Sequence, residues 1–413
     1  MNTKTFRELQ LVEPIARALD EKKYEHPTPI QAAAIPSLLA GCDMIGCAQT
    51  GTGKTAAFSL PILHRLFENK KRAAPRGARV LVLTPTRELA SQVSESFKAY
   101  GRHIRLSHAL VFGGVGQTPQ VKALRNGVDV LVATPGRLLD LMNQKHASLK
   151  TVEVLVLDEA DRMLDMGFLP DIKKIIATLP RERQTLLFSA TMAPEILSLA
   201  KSILINPVEV QVAPPATTAE LIDERVMFVA ESNKKALLSH LLKTDEVKRA
   251  LIFTRTKHGA NRLVTHLEKT SVQAKAIHGN KSQTARTAAL KDFSQGLCKV
   301  LVATDIAARG IDVAGITHVI NYDLPNEPAS YVHRIGRTAR SGTKGVAISF
   351  CANNEHVYLR DIEKLLKRSV AIDKTHKFHD ATPIPKSNAK PVIRGRNKRF
   401  NKNRRQSPIK KSA

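Results

Sequence analysis

Two short segments of this chain recur at one fixed spacing. The letters VLVAT stand at 130–134 and again at 300–304, and LVLTPTREL from residue 81 is matched by LIFTRTKHG from residue 251. The offset is 170 residues in both cases, from 130 to 300 and from 81 to 251. Each unit is an apolar run that ends in polar residues, as a buried strand does when its end carries function. A repeat at one offset predicts two related domains.

Short β-branched and aliphatic runs alternate with longer amphipathic stretches along the whole chain. Nearly continuous apolar strands separated by helices are typical of buried parallel sheets in an α/β fold. Open parallel sheets bind ligands outside the carboxyl ends of their strands. The polar residues at these strand ends should therefore converge on two facing surfaces. The predicted strands are 43–48, 79–85, 129–135, 152–160 and 184–191 in a first set and 249–256, 273–279, 299–305, 318–325 and 344–350 in a second.

Length and local composition predict where the domains divide. A chain of 413 residues exceeds one ordinary core, so two domains with tails are expected. A proline-rich stretch between the two strand sets is the predicted linker. The predicted division is an N-terminal segment (1–34), a first domain (35–208), a linker (209–222), a second domain (223–373) and a disordered basic tail (374–413).

The charge of the chain indicates a polyanionic partner. The formal net charge is +27 and the pI is near 10.1. Residues 386–413 hold eleven Lys or Arg and no Asp or Glu, so about +16 remains on the rest. We expect the tail to tether RNA, although a solubilising or localisation role is the alternative.

Cysteine usage and hydropathy favour a cytoplasmic protein. The four cysteines form no CxxC pair, so free thiols in a reducing compartment are favoured over zinc or disulfides. The N-terminus lacks the apolar core of a signal peptide, and no run approaches the ~18 apolar residues of a membrane span. We therefore expect no membrane association.

The segment AQTGTGKT (48–55) has the features of a phosphate-binding loop. It follows the first predicted strand, precedes a helical stretch, and departs from G-x-x-x-x-G-K-[ST] in having alanine first. Its backbone N–H groups and the helix N-terminus would cradle phosphates, with the lysine on the β/γ-phosphates and the final threonine on Mg²⁺. The alternative is a glycine-rich turn without ligand. The predicted loop residues are Ala48, Gln49, Thr50, Gly51, Thr52, Gly53, Lys54 and Thr55.

A second motif, the acidic segment VLVLDEAD (154–161), is expected to act together with this loop at the nucleotide. An apolar strand delivers Asp158 and Glu159 at its end. Asp158 is predicted to hold Mg²⁺ and Glu159 to polarise the attacking water. A solvated acidic helix start would be the simpler interpretation of an isolated Asp-Glu pair. We prefer the catalytic one, because a phosphate-binding loop precedes it.

Several further motifs occur in one order with these two. They are PTRELA (85–90), TPGR (134–137), SAT (189–191), ATDIAARGID (303–312) and HRIGRTAR (333–340). Over roughly residues 6–350 the chain thereby resembles the DEAD-box RNA helicases, and DEADRMLDMGF with the basic tail is most similar to their bacterial RhlE-type subgroup. The resemblance implies two tandem RecA-like domains with parallel sheets flanked by helices, ATP and Mg²⁺ as cofactors, and RNA as partner.

The resemblance also implies an adenine pocket upstream of the loop. YEHPTPIQ (24–31) is similar to the Q motif of the family, in which Gln31 would read the adenine edge and Tyr24 would stack on the ring. Phe6 lies at a suitable distance upstream. Lys23 stands where the family usually has glycine. On its own, the segment would be interpreted as a proline-bounded helix start with Gln31 solvated.

In the second domain, the resemblance implies arginine fingers. Arg337 and Arg340 would reach the phosphates across the interface, and Asp312 would contact the ribose. Residue type alone would favour an RNA-facing basic helix instead. His333 is expected to link the domains, and Ala339 replaces a family glycine.

The SAT motif resembles the element that relays the state of the γ-phosphate to the RNA side. Ser189 and Thr191 are therefore the predicted coupling residues. A plain strand end is the alternative.

The remaining strand-end clusters predict the RNA surface. They combine glycine, hydroxyl and arginine, which bind phosphate and sugar rather than bases, so binding should be sequence-independent. Aromatic residues are 4% of the chain and Trp is absent, which disfavours base-stacking platforms. The predicted RNA-contacting residues are Pro85, Thr86, Arg87, Gly114, Thr134, Arg137, Arg255, Gly279, Thr304 and Arg309.

Together these features predict a monomeric ATP-dependent RNA helicase that remodels RNA duplexes and RNA–protein complexes. The rivals are a DNA-directed translocase of the same superfamily and a non-hydrolysing, nucleotide-gated RNA clamp. Contacts to the RNA backbone do not identify the physiological RNA. A role in ribosome assembly, in RNA decay or in cold-stress remodelling is therefore equally compatible with the sequence.

Overall fold

The computed structural model describes residues 5–48, 51–212, 221–244, 246–308, 313, 315–339 and 343–380. Most of the predicted linker and of the predicted basic tail lies outside these ranges. Five predicted site residues also lie outside the described residues: Gln49, Thr50, Arg309, Asp312 and Arg340.

The strands form two parallel sheets. In chain order they are β1 (Met44–Cys47), β2 (Ala78–Leu83), β3 (His108–Val111), β4 (Val128–Ala133), β5 (Val154–Leu157), β6 (Gln184–Ser189), β7 (Val208–Gln211), β8 (Ile222–Phe228), β9 (Ala250–Phe253), β10 (Ala274–Ile277), β11 (Val300–Ala303), β12 (His318–Asn321), β13 (Gly345–Cys351) and β14 (Ala371–Ile372). The first sheet has the order β3-β4-β2-β5-β6-β1-β7 and the second β10-β11-β9-β12-β13-β8-β14.

Helices connect the strands and cover the sheets. They are α1 (Glu13–Glu21), α2 (Pro29–Leu39), α3 (Lys54–Glu68), α4 (Arg87–Tyr100), α5 (Thr118–Leu124), α6 (Pro135–Asn143), α7 (Ala160–Asp165), α8 (Leu169–Ile176), α9 (Pro194–Ile203), α10 (Lys234–Leu241), α11 (Lys257–Lys269), α12 (Gln283–Ser294), α13 (Asp305–Ala308), α14 (Pro328–Ile335) and α15 (His356–Leu366). Short 3₁₀ turns occupy Phe6–Leu9, Glu231–Asn233 and Asn353–Glu355.

The repeat read from the sequence is a structural repeat. The two sheets have the same strand order when β8–β14 are matched to β1–β7. Leu81 of β2 pairs with Leu131 of β4, and Leu251 of β9 pairs with Leu301 of β11, so the register is the same in both copies. The prediction of two parallel α/β sheets flanked by helices is confirmed.

Each central strand is buried on both faces. Val80 and Val82 of β2 pack into one core cluster of the first domain, and Leu81 and Leu83 pack into the other. Side chains alternate between the faces of a sheet, so a strand covered on both sides must be apolar throughout. This explains why the central strands could be recognised as continuous apolar runs.

Four strands were not predicted, namely β3, β7, β8 and β14. Three of them are sheet edges, and β8, beside the edge strand β14, keeps its second and fourth residues exposed. Edge strands need little apolar surface and often carry charge, so they lack the continuous pattern. β7 and β8 also occupy the two ends of the stretch predicted as linker.

Residues 374–380 lie against the second sheet, so the prediction of disorder is wrong for this segment. His379 forms an antiparallel bridge with Val229, and the N–H of Asp380 donates to the carbonyl of Phe228 at 3.0 Å. Phe378 packs against the core. These contacts use the backbone of the last residue of β8 and of the residue after it, which composition alone does not reveal.

The cysteines are free thiols, as expected. Cys298 and Cys351 are buried, and burial raises the pKa of the Cys351 thiol to about 12. Within the described ranges no helix is long and apolar enough to cross a bilayer.

The lysine that replaces a family glycine adopts a left-handed backbone, with φ +59° at Lys23. This conformation is unfavourable for residues with a Cβ. Lys23→Gly should therefore raise the free energy of unfolding by about 0.5–1 kcal/mol, measured by urea denaturation. Lys22 is the matched control, because its φ is −84°, and Lys22→Gly should lower that free energy. Equal losses in both variants would contradict the prediction.

Candidate functional site

A cleft of about 1030 Å³ opens at the carboxyl edge of the first sheet and gathers most of the predicted ATP residues. The residues that follow β1 and β5 meet there because parallel strands end at the same edge. The segment before α2 closes the other side. The predicted residues in its lining are Phe6, Tyr24, Gln31, Gly51, Gly53, Lys54, Thr55, Asp158 and Glu159.

The phosphate-binding loop has the predicted turn. Gly51 and Gly53 have φ values of +87° and +95°, and α3 begins at the next residue, Lys54. Lys54 is buried, and its Nζ donates to the carbonyl oxygen of Ala48 at 2.7 Å. Lys54 lines the cleft together with Asp158 and Glu159.

Asp158 has the properties of a cation ligand. It is 2% exposed, and its Oδ1 has no hydrogen-bond partner among the described residues. Burial raises the pKa of Asp158 to about 7, although the nearby Lys54 acts in the opposite direction. A buried carboxylate with one unpaired oxygen is stabilised by a bound cation, so the residues fit Mg²⁺.

The protein would supply only a few of the ligands of that ion. Nowhere in the described part of the chain do three His, Cys, Asp or Glu residues form a metal-binding group. Mg²⁺ in nucleotide sites commonly keeps water and phosphate oxygens and takes one or two protein ligands. Asp158 and the hydroxyl of Thr55 line the same cleft and match that sparse requirement.

Glu159 is held in a strained position. It has a φ of +54°, in the left-handed region, and is 3% exposed. Its Oε2 accepts from Nη1 of Arg162 at 2.6 Å, and its Oε1 has no hydrogen-bond partner among the described residues. Backbone strain of this kind commonly occurs at functional sites. Glu159 also lines the cleft, so a group in the cleft would lie close to this unpaired oxygen.

The predicted coupling residues are bonded to the acidic motif through Asp161. Its Oδ2 accepts from the backbone N–H groups of Ala190 and Thr191, both at 3.0 Å, and from Oγ1 of Thr191 at 3.2 Å. Its own N–H donates to Oγ of Ser189 at 3.3 Å. These hydrogen bonds join the acidic motif directly to the end of β6. Asp161 and Arg162 were not predicted, because a sequence does not show which charged residues are buried.

The upstream segment packs against the loop. Oε1 of Gln31 accepts from the N–H of Thr28 at 2.9 Å, and its Nε2 donates to the carbonyl of Gly53 at 3.1 Å. A Cβ at Gly53 would overlap the Gln31 amide, so glycine is required there. Tyr24 is 42% exposed beside Tyr100, with ring centroids 6.5 Å apart. The exposed ring is available for stacking.

The arginines of the second domain have different environments. Arg334 binds Asp305 through two hydrogen bonds of 2.5 and 2.7 Å, which anchor α14 to the end of β11. Arg337 is 3% exposed, and its Nε donates to the carbonyl of His333 at 3.2 Å. Arg162 lines the same crevice as His333 and Arg337. The ion pair of Glu159 therefore faces the predicted arginine finger.

The predicted RNA residues of the first domain share one edge. Thr86 caps α4 by accepting from the N–H of Leu89 at 3.3 Å. The guanidinium of Arg87 lies so close to Gly114 that a Cβ there would overlap it. Both Nη atoms of Arg137 donate to the carbonyl of Val115 at 3.2 Å. Pro85 and Thr134 are buried at the starts of α4 and α6.

In the second domain, one predicted RNA residue is already engaged. Nη2 of Arg255 donates to Oε1 of Glu355 at 2.8 Å, and the guanidinium lies 5.1 Å from the centroid of the Tyr358 ring. A Cβ at Gly279 would have no other atom within 4 Å, so a ligand can approach this backbone closely. Thr304 starts α13, and its N–H donates to Ile277.

The two predicted RNA edges are joined directly. Nη2 of Arg286 lies 2.8 Å from Oε2 of Glu88, and Nη1 of Arg87 donates to Oε1 of Gln283 at 3.4 Å. Sequence reasoning missed Glu88, Gln283 and Arg286. The two partners of each pair are nearly 200 residues apart, so no local pattern links them.

The chain matches two known family models and many curated relatives. The DEAD/DEAH box helicase family model matches residues 28–199, and the helicase conserved C-terminal domain model matches residues 233–342. A DEAD-box ATP-dependent RNA helicase CshA from Bacillus cereus is 43% identical over 89% of this chain and 69% of its own length. An ATP-dependent rRNA helicase RRP3 from Yarrowia lipolytica is 44% identical over 87% of this chain and 74% of its own length.

Solved structures share the two-domain fold. Dbp5 from S. cerevisiae, bound to RNA and ADP BeF3, superposes with a TM-score of 0.79 at 35% identity and covers 87% of this chain and 93% of its own. Mss116p, bound to ssRNA and AMP-PNP, gives 0.80 at 29% identity, covering 91% of this chain and 80% of its own. With the family models, the relatives and the fold in agreement, the chain belongs to the DEAD-box ATP-dependent RNA helicase family.

Proposed function

We propose that this chain hydrolyses ATP to ADP and phosphate when RNA draws its two domains together, and uses that cycle to unwind or remodel RNA. The observation that carries the proposal is the cleft in which Lys54, Asp158 and Glu159 converge. Arg337 lies in a crevice with Arg162, the ion-pair partner of Glu159. The relatives named for ATP-dependent helicase activity support it.

The catalytic roles follow from position and burial. Lys54 would bind the β/γ-phosphates, while Asp158 and Thr55 would hold Mg²⁺, which neutralises charge on the phosphates when bound. Glu159 would orient and polarise the attacking water through its free oxygen. Arg337, and Arg340 from the same motif, would stabilise the negative charge of the transferring phosphoryl group.

ATP recognition would involve the upstream segment. Gln31 would read the adenine edge while keeping its contact with the loop, and Tyr24 and Phe6 would flank the ring. Because Gln31 bonds both Thr28 and Gly53, adenine binding would fix the loop and the start of α2 together. Asp312 would contact the ribose.

RNA recognition would use the two joined edges and read the backbone. Arg87, Gly114 and Arg137 of the first domain offer guanidinium groups and an accessible backbone, which suits phosphate contacts without base specificity. Arg255, Gly279 and Thr304 would extend the path on the second domain. Dbp5 and Mss116p, which share this fold, are bound to RNA in their solved structures, and this supports the proposal.

Closure would couple the two ligands. The finger and the loop belong to different domains, so hydrolysis requires their approach, and RNA spanning both edges would favour it. The bonds of Asp161 to Ser189 and Thr191 give the acidic motif a direct link to the end of β6. His333 would complete the link from the second domain.

We also propose four properties of the chain that concern its organisation and its place in the family. They are domain boundaries at 35–208 and 223–373 with a linker at 209–222, a monomeric state, a cytoplasmic location and a RhlE-type affiliation. Each of the two family matches lies mostly within one proposed domain.

The experiment that tests the function compares nucleic acids. Steady-state ATP turnover should rise by about tenfold or more with poly(U) RNA and far less with poly(dT) DNA of equal length, because the backbone contacts should distinguish the 2′-hydroxyl. Equal stimulation by DNA would favour a DNA-directed translocase. RNA binding that depends on nucleotide, without turnover, would favour a non-hydrolysing clamp.

Mg²⁺ binding should depend on pH around neutrality. Burial raises the pKa of Asp158 to about 7, and a protonated carboxyl does not bind the ion, so affinity should fall as pH decreases through that value. Calorimetric titration of Mg²⁺ in two buffers of different ionisation enthalpy would detect the released proton. Asp158→Asn is the control and should release none.

The same raised pKa makes a prediction about stability. Between pH 4 and pH 7, the folded metal-free chain binds a proton at Asp158 that the unfolded chain has lost, so this group favours folding less as pH rises through the window. Asp158→Asn should flatten that dependence in urea unfolding without metal. An unchanged pH profile would show that Asp158 is ionised throughout.

A further inference from the structure

A second cleft, of about 660 Å³, lies at the opposite edge of the first sheet. Its lining comes from the end of α3, the loop 70–73, the starts of β2 and β4, and residues 103–107 before β3. We call it the amino-edge cleft. The ATP and RNA residues follow the carboxyl ends of the same strands, about 20 Å away for a six-residue strand. A ligand in this cleft would therefore not compete directly for either site.

The amino-edge cleft carries uncompensated positive charge. Lys70, Lys71, Arg72 and Arg105 line it and are exposed, and in the described chain none of them has a carboxylate within 4.0 Å. The single carboxylate of the lining, Asp129, already accepts from the N–H and hydroxyl of Ser107 at 2.9 and 2.8 Å. Four free cations around one concave surface favour an anionic ligand.

Helix electrostatics account for only part of this cluster. The carboxyl end of α3 favours cations nearby, which is a sufficient reason for Lys70, Lys71 and Arg72. It does not account for Arg105, which comes from the segment before β3 and faces the same space. Two separate segments thus contribute charge to one cleft.

The floor of the cleft is apolar. Leu66 is buried there, and Ile104 and Leu106 are partly buried against the core. A simple ion would leave this surface in contact with water, so the ligand should carry apolar groups as well as negative charge.

Single-stranded RNA fits this lining poorly. Phe67 is the one Phe, Tyr or Trp of the lining, and Nζ of Lys70 lies 5.5 Å from the centroid of its ring. The ring face that a base would stack on is therefore partly occupied. The basic segment 386–413 of the chain itself has the wrong charge.

We propose that the amino-edge cleft is a docking site for an acidic peptide segment of a partner protein. An apolar side chain of that segment would sit between Leu66, Ile104 and Leu106. Its carboxylates would pair with Lys70, Arg72 and Arg105. The partner would thereby bind the first domain while both the ATP cleft and the RNA edge stay accessible.

The test uses a fluorescent peptide of alternating Glu and Leu with one photoreactive benzophenone residue, and the full chain. Crosslinks should map to residues 66–73 and 103–107. The double variant Lys70→Glu/Arg72→Glu should weaken binding by about tenfold or more, because two attractions become repulsions. Lys173→Glu/Lys174→Glu, the same charge change on the exposed face of α8, should change it less than about twofold.

Three results would overturn the proposal. Crosslinks on the RNA edge near Arg87 and Arg137 would show that the peptide only mimics RNA. Equal binding by a Glu–Ser peptide would show that the apolar floor is unused. Binding of poly(U) that is lost in the Lys70/Arg72 variant and retained in the Lys173/Lys174 variant would make the cleft an RNA site. Because crosslink mapping is done on the unmodified chain, a poorly folded variant does not leave the proposal untested.

Discussion

Glu159→Gln should lower RNA-stimulated ATP turnover by about 10²–10⁴-fold while ATP and RNA binding change little. Glutamine keeps the shape of the side chain, and its amide oxygen can still accept the hydrogen bond from Arg162. The left-handed turn and the geometry of that hydrogen bond therefore need not change. What it loses is the negative oxygen that is free to polarise water. The effect should therefore appear in turnover at saturating ATP and RNA.

Steady-state turnover and equilibrium binding of a non-hydrolysable ATP analogue would separate these effects. Glu195→Gln, an exposed residue at the start of α9, is the matched control and should behave as the unmodified chain does. Turnover of Glu159→Gln within about twofold of the unmodified chain would remove Glu159 from the water-activating role. Loss of analogue binding as well would instead indicate that the loop after β5 had rearranged.

The location of the ATP cleft was predictable from sequence for a geometric reason. Apolar runs identified the central strands, and the residues after the ends of parallel strands must meet at one edge. This places Lys54 beside Asp158 and Glu159 although they are about a hundred residues apart. The upstream segment with Gln31 came from the resemblance alone, because nothing in its composition indicates a contact with Gly53.

The side-chain partners could not be predicted, because they depend on burial and on distant segments. Arg255 was expected to be free for RNA, whereas the structure pairs it with Glu355. That carboxylate is also bonded to Lys234 at 2.7 Å, and Lys234 is fully buried. A buried ammonium requires a carboxylate to neutralise its charge, but the sequence does not show which carboxylate pairs with it. RNA binding at Arg255 would therefore act on a side chain already positioned by Glu355.

The repeat shows where divergence between the domains matters. The two VLVAT strands have the same register, yet the first leads to Thr134 and Arg137 and the second to Thr304 and Asp305. Asp305 binds Arg334 and so fixes the helix that ends beside Arg337. The second copy thus uses the residue after its strand to position the helix that carries Arg334.

Arg337→Ala should lower RNA-stimulated turnover by about 10³–10⁵-fold without weakening the binding of an ATP analogue to the first domain. The side chain is buried in a crevice that also contains Arg162 of the first domain, so it lies where the two domains meet. Arg337→Lys should recover little, because an ammonium lacks the planar fork of a guanidinium. Arg262→Ala, an exposed position on α11, is the control.

The competing interpretation of Arg337, as an RNA phosphate contact, predicts a different result. In that case Arg337→Ala would lower RNA affinity about equally for all sequences and reduce the salt slope of binding by about 1. Turnover at saturating RNA would then be close to normal. Turnover measured against RNA concentration at two ionic strengths distinguishes the two interpretations. Loss of an arginine finger lowers the turnover at saturating RNA, whereas loss of an RNA contact raises the RNA concentration needed for half-maximal turnover. We expect the turnover at saturating RNA to fall, since the carbonyl of His333 and the anchored Arg334 hold Arg337 on the side of the crevice that faces Glu159 and Arg162.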